Sequence, residues 1–98
     1  MIIVTGSAVA RPDAFDALLH EARVHVARSR REEGCISHEV SNDVDNPLRL
    51  VFLERWRDRD ALAAHFALSE SNAFVKALRS LTAEPPTMDI YTVAPTSD

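Results

Sequence analysis

Apolar residues fall into short runs with strand character, separated by longer stretches with helical spacing. The runs Ile2 to Val9, Cys35 to Val44 and Leu48 to Trp56 are rich in β-branched or aromatic residues and are bounded by turn residues. A fourth run, Met88 to Val93, follows two consecutive prolines. These patterns predict four β-strands, and the short connection between the second and third predicts an antiparallel hairpin.

The stretch after the first strand repeats apolar residues on one helical face. Pro12 fits the first turn of a helix, where its missing N–H costs nothing, and Gly34 is a natural C-terminal stop. We therefore predict a long helix from Pro12 to about Glu33. Its apolar face consists of Phe15, Leu18, Leu19, Ala22 and Val26.

Two shorter helices are predicted after the third strand. Asp58 is a good N-cap for the first, which runs through His65. Ser69 or Ser71 can cap the second, which ends before Glu84-Pro85-Pro86. Its apolar positions repeat at i, i+3, i+4 and i+7 and are Phe74, Ala77, Leu78 and Leu81.

The element order β-α-β-β-α-α-β is that of the split βαβ, or ferredoxin-like, plan. It predicts an α+β fold in which a four-stranded antiparallel sheet carries its helices on one face, because connections in this topology are right-handed. We expect a single domain over residues 1–98, with a core from about residue 2 to 93 and a tail from Ala94 to Asp98.

The third strand is apolar on both faces. Leu48, Leu50 and Phe52 point one way, while Val51 and Leu53 point the other. Helices cover only one face of the sheet. If the other face stayed exposed to water, the protein would lose roughly 1.5–3 kcal/mol of stabilisation for each large apolar side chain. The pattern therefore predicts a homodimer in which the open sheet faces cover each other.

Charge and composition exclude several classes of partner. The 11 Lys and Arg against 15 Asp and Glu make the formal net charge −4, and the one basic cluster, residues 28–31, is followed at once by Glu32 and Glu33. Nucleic-acid binding is therefore not expected. The longest unbroken aliphatic or aromatic stretch is residues 50–53, so no membrane contact is expected. With Cys35 as the single cysteine and no signal-peptide pattern, we expect a cytoplasmic protein.

The four histidines are the first candidates for chemistry. His20 and His25 lie about 140° apart around the predicted long helix, so they cannot share a metal, and we interpret them as surface residues. His38 and His65 have no partner at metal-ligand spacing. We therefore expect no metal, and two glycines are too few for a phosphate-binding loop.

Two residues each allow a structural and a functional interpretation. His65 lies on an apolar helix face and is either a core histidine satisfied by one backbone hydrogen bond, or a general base or hydrogen-bond donor that lines a pocket. Trp56 either packs at the end of the sheet or forms a flat aromatic wall with one N–H donor. Cys35 is interpreted as a small apolar residue rather than a nucleophile, because no basic partner is close in sequence.

Three motifs resemble one family. They are Glu33-Gly34-Cys35, Leu53-Glu54-Arg55-Trp56, and Ala61-Leu62-Ala63-Ala64-His65-Phe66 with Ser69. In order and spacing they resemble the antibiotic biosynthesis monooxygenase family, and the likeness extends from Ile2 to about Val93. The resemblance implies a dimeric α+β barrel with a pocket in each subunit. It also implies oxygenation or isomerisation of small electron-rich compounds with no bound metal or flavin.

By position, His65 matches the family histidine and Trp56 the tryptophan that lines the pocket in several members, so the resemblance implies catalytic roles for both. His38 stands where an aromatic residue is usual, and Phe52 stands where some quinone-forming members have asparagine. The candidate substrate-binding residues are His38, Phe52, Phe66 and Asn72.

Three functions follow from the resemblance. The first is a cofactor-independent monooxygenase that oxidises a quinol, an anthrol or a polyketide-like aromatic with molecular oxygen, which requires only orientation, water exclusion and stabilisation of an anion. The second is an isomerase or degrader of a small phosphorylated or hydroxylated carbonyl signal. The cations that it would need for a phosphate group, such as Arg49, Arg55 or Lys76, are not clustered in sequence. The third is a non-catalytic dimeric module that binds a small ligand.

Overall fold

The computed structural model describes residues 1–94 and 96, and the elements follow the predicted order. They are β1 (Ile2–Val9), α1 (Phe15–Ser29), β2 (Cys35–Asn42), β3 (Arg49–Trp56), α2 (Arg59–Ala67), α3 (Ser69–Leu81) and β4 (Thr87–Thr92). Of the predicted tail, residues 95, 97 and 98 lie outside the described part of the chain.

The four strands form one antiparallel sheet in the order β2-β3-β1-β4. The α+β, ferredoxin-like prediction is confirmed. In β3 the even-numbered residues are buried and the odd-numbered ones are half-buried, as expected when helices cover one face only. The β2–β3 hairpin is confirmed as well, although β2 ends at Asn42 and not at Val44.

The covered face of the sheet carries two apolar clusters. In the first, Leu18, Ala22 and Val26 of α1 pack with Leu50 and Phe52 of β3. The second cluster lies around Trp56 at the other end of β3 and also includes Ile2, Val4, Ala61 and Leu62. Large polar side chains are also buried on this face, and they form the site described below.

The predicted bounds of α1 are wrong at both ends. The helix begins after Ala14, so Pro12 lies in the preceding turn. It ends at Ser29, because the next residues form tighter turns in which Arg31 N–H donates to the carbonyl of Arg28. Gly34 turns the chain into β2 with a φ of 84°, five residues beyond the helix end.

The N-cap predicted for α2 is confirmed, whereas those predicted for α3 are wrong. The Asp58 carboxylate accepts the Ala61 N–H at 2.9 Å, which confirms Asp58 as the N-cap of α2. The serine caps predicted for α3 are wrong, because Leu68 is the N-cap and no side chain caps the helix. Ser69 begins α3, and Ser71 is buried within its first turn.

The open face of the sheet is mixed in polarity. Ile3, Val51 and Leu53 are half-buried there, and Thr5 and Arg55 are their neighbours in the β1–β3 register. Among the described helices, none has the length and apolar character needed to cross a membrane.

Candidate functional site

A cavity of about 350 Å³ lies between the covered face of the sheet and the three helices. This volume is at the lower end of the roughly 300–1,000 Å³ typical of small-molecule sites. Most of its wall is apolar, with Phe52 from the sheet opposite Phe74 and Leu78 of α3. The polar side chains of the wall include three histidines, one glutamate, two serines, one threonine and one arginine.

The three cavity histidines come from different elements and meet at one place. Their ring centroids are 5.4 Å apart for His25 and His38, 5.1 Å for His25 and His65, and 6.1 Å for His38 and His65. Because they belong to α1, β2 and α2, only the packing of these elements brings them together. A cluster of this kind is a candidate site for proton transfer.

His65 is held by a carboxylate. Its Nδ1 lies 2.8 Å from Oε1 of Glu32, in the turn between α1 and β2. A carboxylate oxygen accepts hydrogen bonds, so Nδ1 carries the hydrogen. In the neutral ring this leaves Nε2 as the basic nitrogen, and Nε2 forms no hydrogen bond within residues 1–94. The partner is therefore a side chain and not the backbone group that the structural interpretation expected.

His38 is only 1% exposed, and neither of its ring nitrogens has a hydrogen-bond partner among the described residues. Burial lowers the pKa of His38 to about 4, and the nearby His65 and Arg30 add to this effect. The ring is therefore neutral at pH 7, with one nitrogen able to donate and the other able to accept. Buried polar groups normally have partners, so the two ring nitrogens of His38 are available to a water molecule or a ligand in the cavity.

Glu54 lies beside His38 on the neighbouring strand. Its Oε2 is 3.7 Å from His38 Nε2, too far for a hydrogen bond, and its Oε1 accepts the indole N–H of Trp56 at 2.9 Å. Burial raises the pKa of the Glu54 carboxyl, although the hydrogen bond from Trp56 acts in the opposite direction. The cavity thus contains a carboxyl group that ionises less readily than an ordinary glutamate.

Trp56 does not line the cavity, which corrects the prediction that its indole forms an aromatic wall there. The side chain is fully buried in the second apolar cluster, and its ring centroid is 4.6 Å from that of His65. Because its single N–H is donated to Glu54, it has no donor left for a ligand. Trp56 therefore acts on the site only indirectly, by packing against the His65 ring and donating its N–H to Glu54.

The interpretation of His25 as a surface residue is wrong, whereas His20 is exposed as expected. The His25 ring stacks on Phe74 with centroids 4.0 Å apart, and its Nδ1 accepts a hydrogen bond from Arg28 at 2.6 Å. Burial lowers the pKa of His25 to about 3, and the charges of His38, His65 and Arg28 contribute further. The ring is therefore neutral, with its hydrogen on Nε2.

The remaining predicted residues divide between cavity and surface. Phe52 and Phe66 line the cavity with His38, but Asn72 is exposed, does not line it, and donates its side-chain amide to the carbonyl of Leu68. None of the three cations considered for a phosphate group lines it either; they are Arg49, Arg55 and Lys76. A different cation, Arg79 of α3, does.

Sequence reasoning missed several site residues, and most of them had a signal. His25 lies seven residues after Leu18 and three after Ala22, on the apolar face of α1. Glu54 alternates with Phe52 and Trp56 and so falls on the buried face of β3. Glu32 had no such signal, because it lies in a turn whose path depends on the tertiary fold.

Within residues 1–94 and 96, no set of three or more His, Cys, Asp or Glu side chains has the arrangement of a metal site. Burial raises the pKa of the Cys35 thiol, and Glu32 and Glu54 raise it further. The thiolate form is therefore disfavoured, in agreement with the interpretation of Cys35 as an apolar residue.

A protein-family model matches most of the chain: the model described as antibiotic biosynthesis monooxygenase matches residues 1–77. The Synechocystis protein sll1783, which is uncharacterised, is 33% identical over 95 residues, or 97% of this chain and 65% of that protein. The chain thus spans less than two thirds of that relative. Bacillus subtilis YcnE, provisionally named a monooxygenase, is 28% identical over 87% of this chain and 90% of its own length.

Solved structures share the fold over nearly the whole chain. Rv0793 from Mycobacterium tuberculosis superposes with a TM-score of 0.90 at 25% identity, covering 99% of this chain and 98% of that one. A crystal structure of an antibiotic biosynthesis monooxygenase has a TM-score of 0.88 at 27% identity, covering 97% of this chain and 100% of its own. A Deinococcus radiodurans protein, at 23% identity and a TM-score of 0.93 over 100% of this chain and 97% of that one, supports the fold alone.

Proposed function

Because the chain belongs to the antibiotic biosynthesis monooxygenase family, we propose that it is a cofactor-independent monooxygenase. Its substrate is a small electron-rich aromatic, such as a quinol, an anthrol or a polyketide-like phenol, and its oxidant is molecular oxygen. The observation that carries this proposal is the 2.8 Å contact between His65 Nδ1 and Glu32, which leaves the other ring nitrogen of a cavity-lining histidine free as a base.

The reaction begins with proton transfer. Nε2 of His65 takes the hydroxyl proton of the substrate, and the imidazolium that forms is stabilised by the Glu32 carboxylate at Nδ1. His25 and His38 are neutral at pH 7, so they do not compete for this proton. The apolar wall around Phe52 and Phe74 excludes water, which strengthens the electrostatic contacts of the anion.

The substrate anion then supplies the electrons. One electron passes to oxygen, and the two radicals combine to form a carbon–oxygen bond, so that the ring carries a peroxide that His65 protonates. Loss of the remaining hydrogen on that carbon, as a proton to His65, breaks the O–O bond and forms the carbonyl group. The released hydroxide takes this proton and leaves as water. The net reaction of an anthrol with one oxygen molecule is one quinone and one water.

Trp56 and Glu54 support this site without taking part in these transfers. The indole packs against the His65 ring and holds Glu54 by its N–H, so its role is to position other groups. This assignment differs from the direct catalytic role that the resemblance implied for Trp56.

The experiment is oxygen uptake by the purified protein with a panel of hydroquinones and anthrols. Catalysed uptake of one oxygen per quinone, without release of hydrogen peroxide, is expected for an accepted substrate. Replacing His65 with Ala or Gln should lower the rate by about 10²–10⁴-fold, the usual contribution of a general base. His20→Gln, which alters an exposed histidine of α1, is the control and should keep the full rate.

Three results would overturn the proposal. If His65→Ala oxidises the substrate at the full rate, His65 is not the general base. Turnover under strict anaerobiosis indicates the isomerase. Saturable binding of the aromatics with no conversion across the whole panel indicates the non-catalytic binding module.

We also propose that two copies pair through the open sheet face. The half-buried apolar residues Ile3, Val51 and Leu53 form a patch on that face, and polar residues such as Thr5 and Arg55 alternate with them in the β1–β3 register. A surface of mixed polarity is compatible with an interface, because protein interfaces are on the whole only about as apolar as the rest of the protein surface. The same surface on each copy suffices for a two-fold dimer.

A further inference from the structure

One face of α3 contributes a graded series of side chains to the cavity wall. Ser71, Phe74, Val75, Leu78 and Arg79 all line it, and their spacing of three or four residues places them on one side of the helix. An α-helix rises about 1.5 Å per residue, so Ser71 and Arg79 are separated by about 12 Å along its axis. Along the helix these side chains change from polar at Ser71, through apolar, to cationic at Arg79. A ligand that matches this wall therefore has a polar group, an apolar body and an anionic group in the same order.

The buried end of the series lacks hydrogen-bond partners. The Oγ of Ser71 is buried and unpartnered within the described residues, and so are both ring nitrogens of His38. Both side chains are more than nine-tenths buried and line the same cavity. A hydroxyl or carbonyl group on the ligand would satisfy them, because Ser71 and a neutral His38 can each donate or accept.

The opposite end of the series is positive. Arg79 is exposed, and within the part of the chain that the structure describes it forms no ion pair or side-chain hydrogen bond. A guanidinium group binds a carboxylate with two parallel hydrogen bonds, which makes arginine well suited to this anion. Between the two ends, Phe74 and Leu78 offer only apolar contacts.

We propose that the cavity selects an aromatic of two or three fused rings with a hydroxyl or carbonyl group at one end and a carboxylate at the other. The polar group lies among Ser71, His38 and the proposed base His65, which line the same cavity. The rings pack against Phe74 and Leu78, and the carboxylate pairs with Arg79. This inference rests on the proposed function only for the location of the substrate, and binding can be measured without any turnover.

The experiment compares three probes by isothermal titration calorimetry under argon at pH 7.5. The first is 6-hydroxy-2-naphthoate, which has a hydroxyl group and a carboxylate at opposite ends of two fused rings. The second is its neutral carboxamide, and the third is 2-naphthoate, which lacks the hydroxyl group. The natural sequence should bind the hydroxynaphthoate about two- to fivefold more tightly than the amide, as expected for a solvent-exposed ion pair.

Variants at the two ends separate the two contacts. Arg79→Gln should abolish the preference for carboxylate over amide, whereas Lys76→Gln, which removes an exposed cation of α3 outside the cavity, should retain it. Ser71→Ala should reduce the preference for 6-hydroxy-2-naphthoate over 2-naphthoate and leave the preference for carboxylate over amide intact.

Equal affinity for acid and amide in the natural sequence, or a preference that survives Arg79→Gln, would overturn the inference. Because no oxygen is consumed, these outcomes are independent of the uptake experiment. Binding with the expected preferences but without oxygenation would reject the monooxygenase and retain the ligand class.

Discussion

At the scale of single residues, the site depends on titratable side chains that are buried in different environments. His65 has a carboxylate partner and a free nitrogen, while His25 and His38 are kept neutral mainly by burial. Glu54 is shifted in the opposite sense, toward its protonated form. Desolvation disfavours the charged forms of His25, His38 and Glu54, so the cavity combines one oriented base with two neutral imidazoles.

The buried histidines predict acid sensitivity. In the unfolded chain their pKa is 6.5, whereas in the folded state it is about 4 for His38 and about 3 for His25. Between these values the unfolded state binds more protons, so the free energy of unfolding falls as the pH is lowered through this window. For His38 the loss between pH 6.5 and 4 amounts to about 3 kcal/mol. The raised pKa of Glu54 acts oppositely, since it lowers stability as the pH rises past its ordinary value.

Urea unfolding at pH 7 and pH 4.5 measures this effect. His38→Gln should lose less stability than the natural sequence on acidification, and His20→Gln, at an exposed site, should behave like the natural sequence. An unchanged pH dependence in His38→Gln would contradict the neutral state of the buried ring.

At the scale of elements, the turn between α1 and β2 positions the site. It carries Glu32, and it ends at Gly34, whose φ of 84° is strained for any residue with a Cβ atom. A Cβ at this position would also lie 2.4 Å from the Cβ of Ala61 in α2. The close approach of this turn to α2 is what brings the Glu32 carboxylate within reach of His65.

Gly34→Ala is therefore expected to lower the free energy of unfolding by about 1–3 kcal/mol, because it introduces backbone strain, and the steric contact with Ala61 should add to this cost. Denaturant unfolding of the single variant and of Gly34→Ala with Ala61→Gly separates the two causes. Measured against Ala61→Gly alone, which carries the cost of a glycine within α2, the double variant should show the backbone strain without the steric part. A single variant as stable as the natural sequence would show that the turn adapts freely.

At the scale of the whole molecule, the sheet has one face covered by helices and one face with a half-buried apolar patch. The proposed pairing of two copies buries that patch and leaves the cavity on the helix side. It predicts sedimentation at twice the chain mass of 10.9 kDa at micromolar concentration.

Leu53→Glu places a charge in the patch, next to its symmetry mate, and should weaken association by at least about a hundredfold, since like charges across an interface cost several kcal/mol. Val44→Glu, at a fully solvated turn position, is the matched control and should sediment like the natural sequence. A natural sequence that sediments as a stable monomer would contradict the pairing.

The order of elements, the strand faces and the Asp58 cap followed from the sequence, because apolar spacing and capping chemistry are local properties. The helical pattern allowed a pocket position for His65, and the resemblance to the family pointed to His65, His38 and Phe52, all three of which line the cavity. The helix ends, the burial of His25 and the placement of Trp56 behind the site were decided by packing.

The sequence by itself therefore determined which segments form helices and strands and which of their faces are apolar, since these properties repeat every two or 3.6 residues. Only the tertiary structure decided which polar groups share one cavity, because Glu32, Glu54 and the three histidines come from different segments. The pKa shifts of His25, His38 and Glu54 arise mainly from this shared burial. The spacing of residues along the chain does not reveal which polar groups will be buried together.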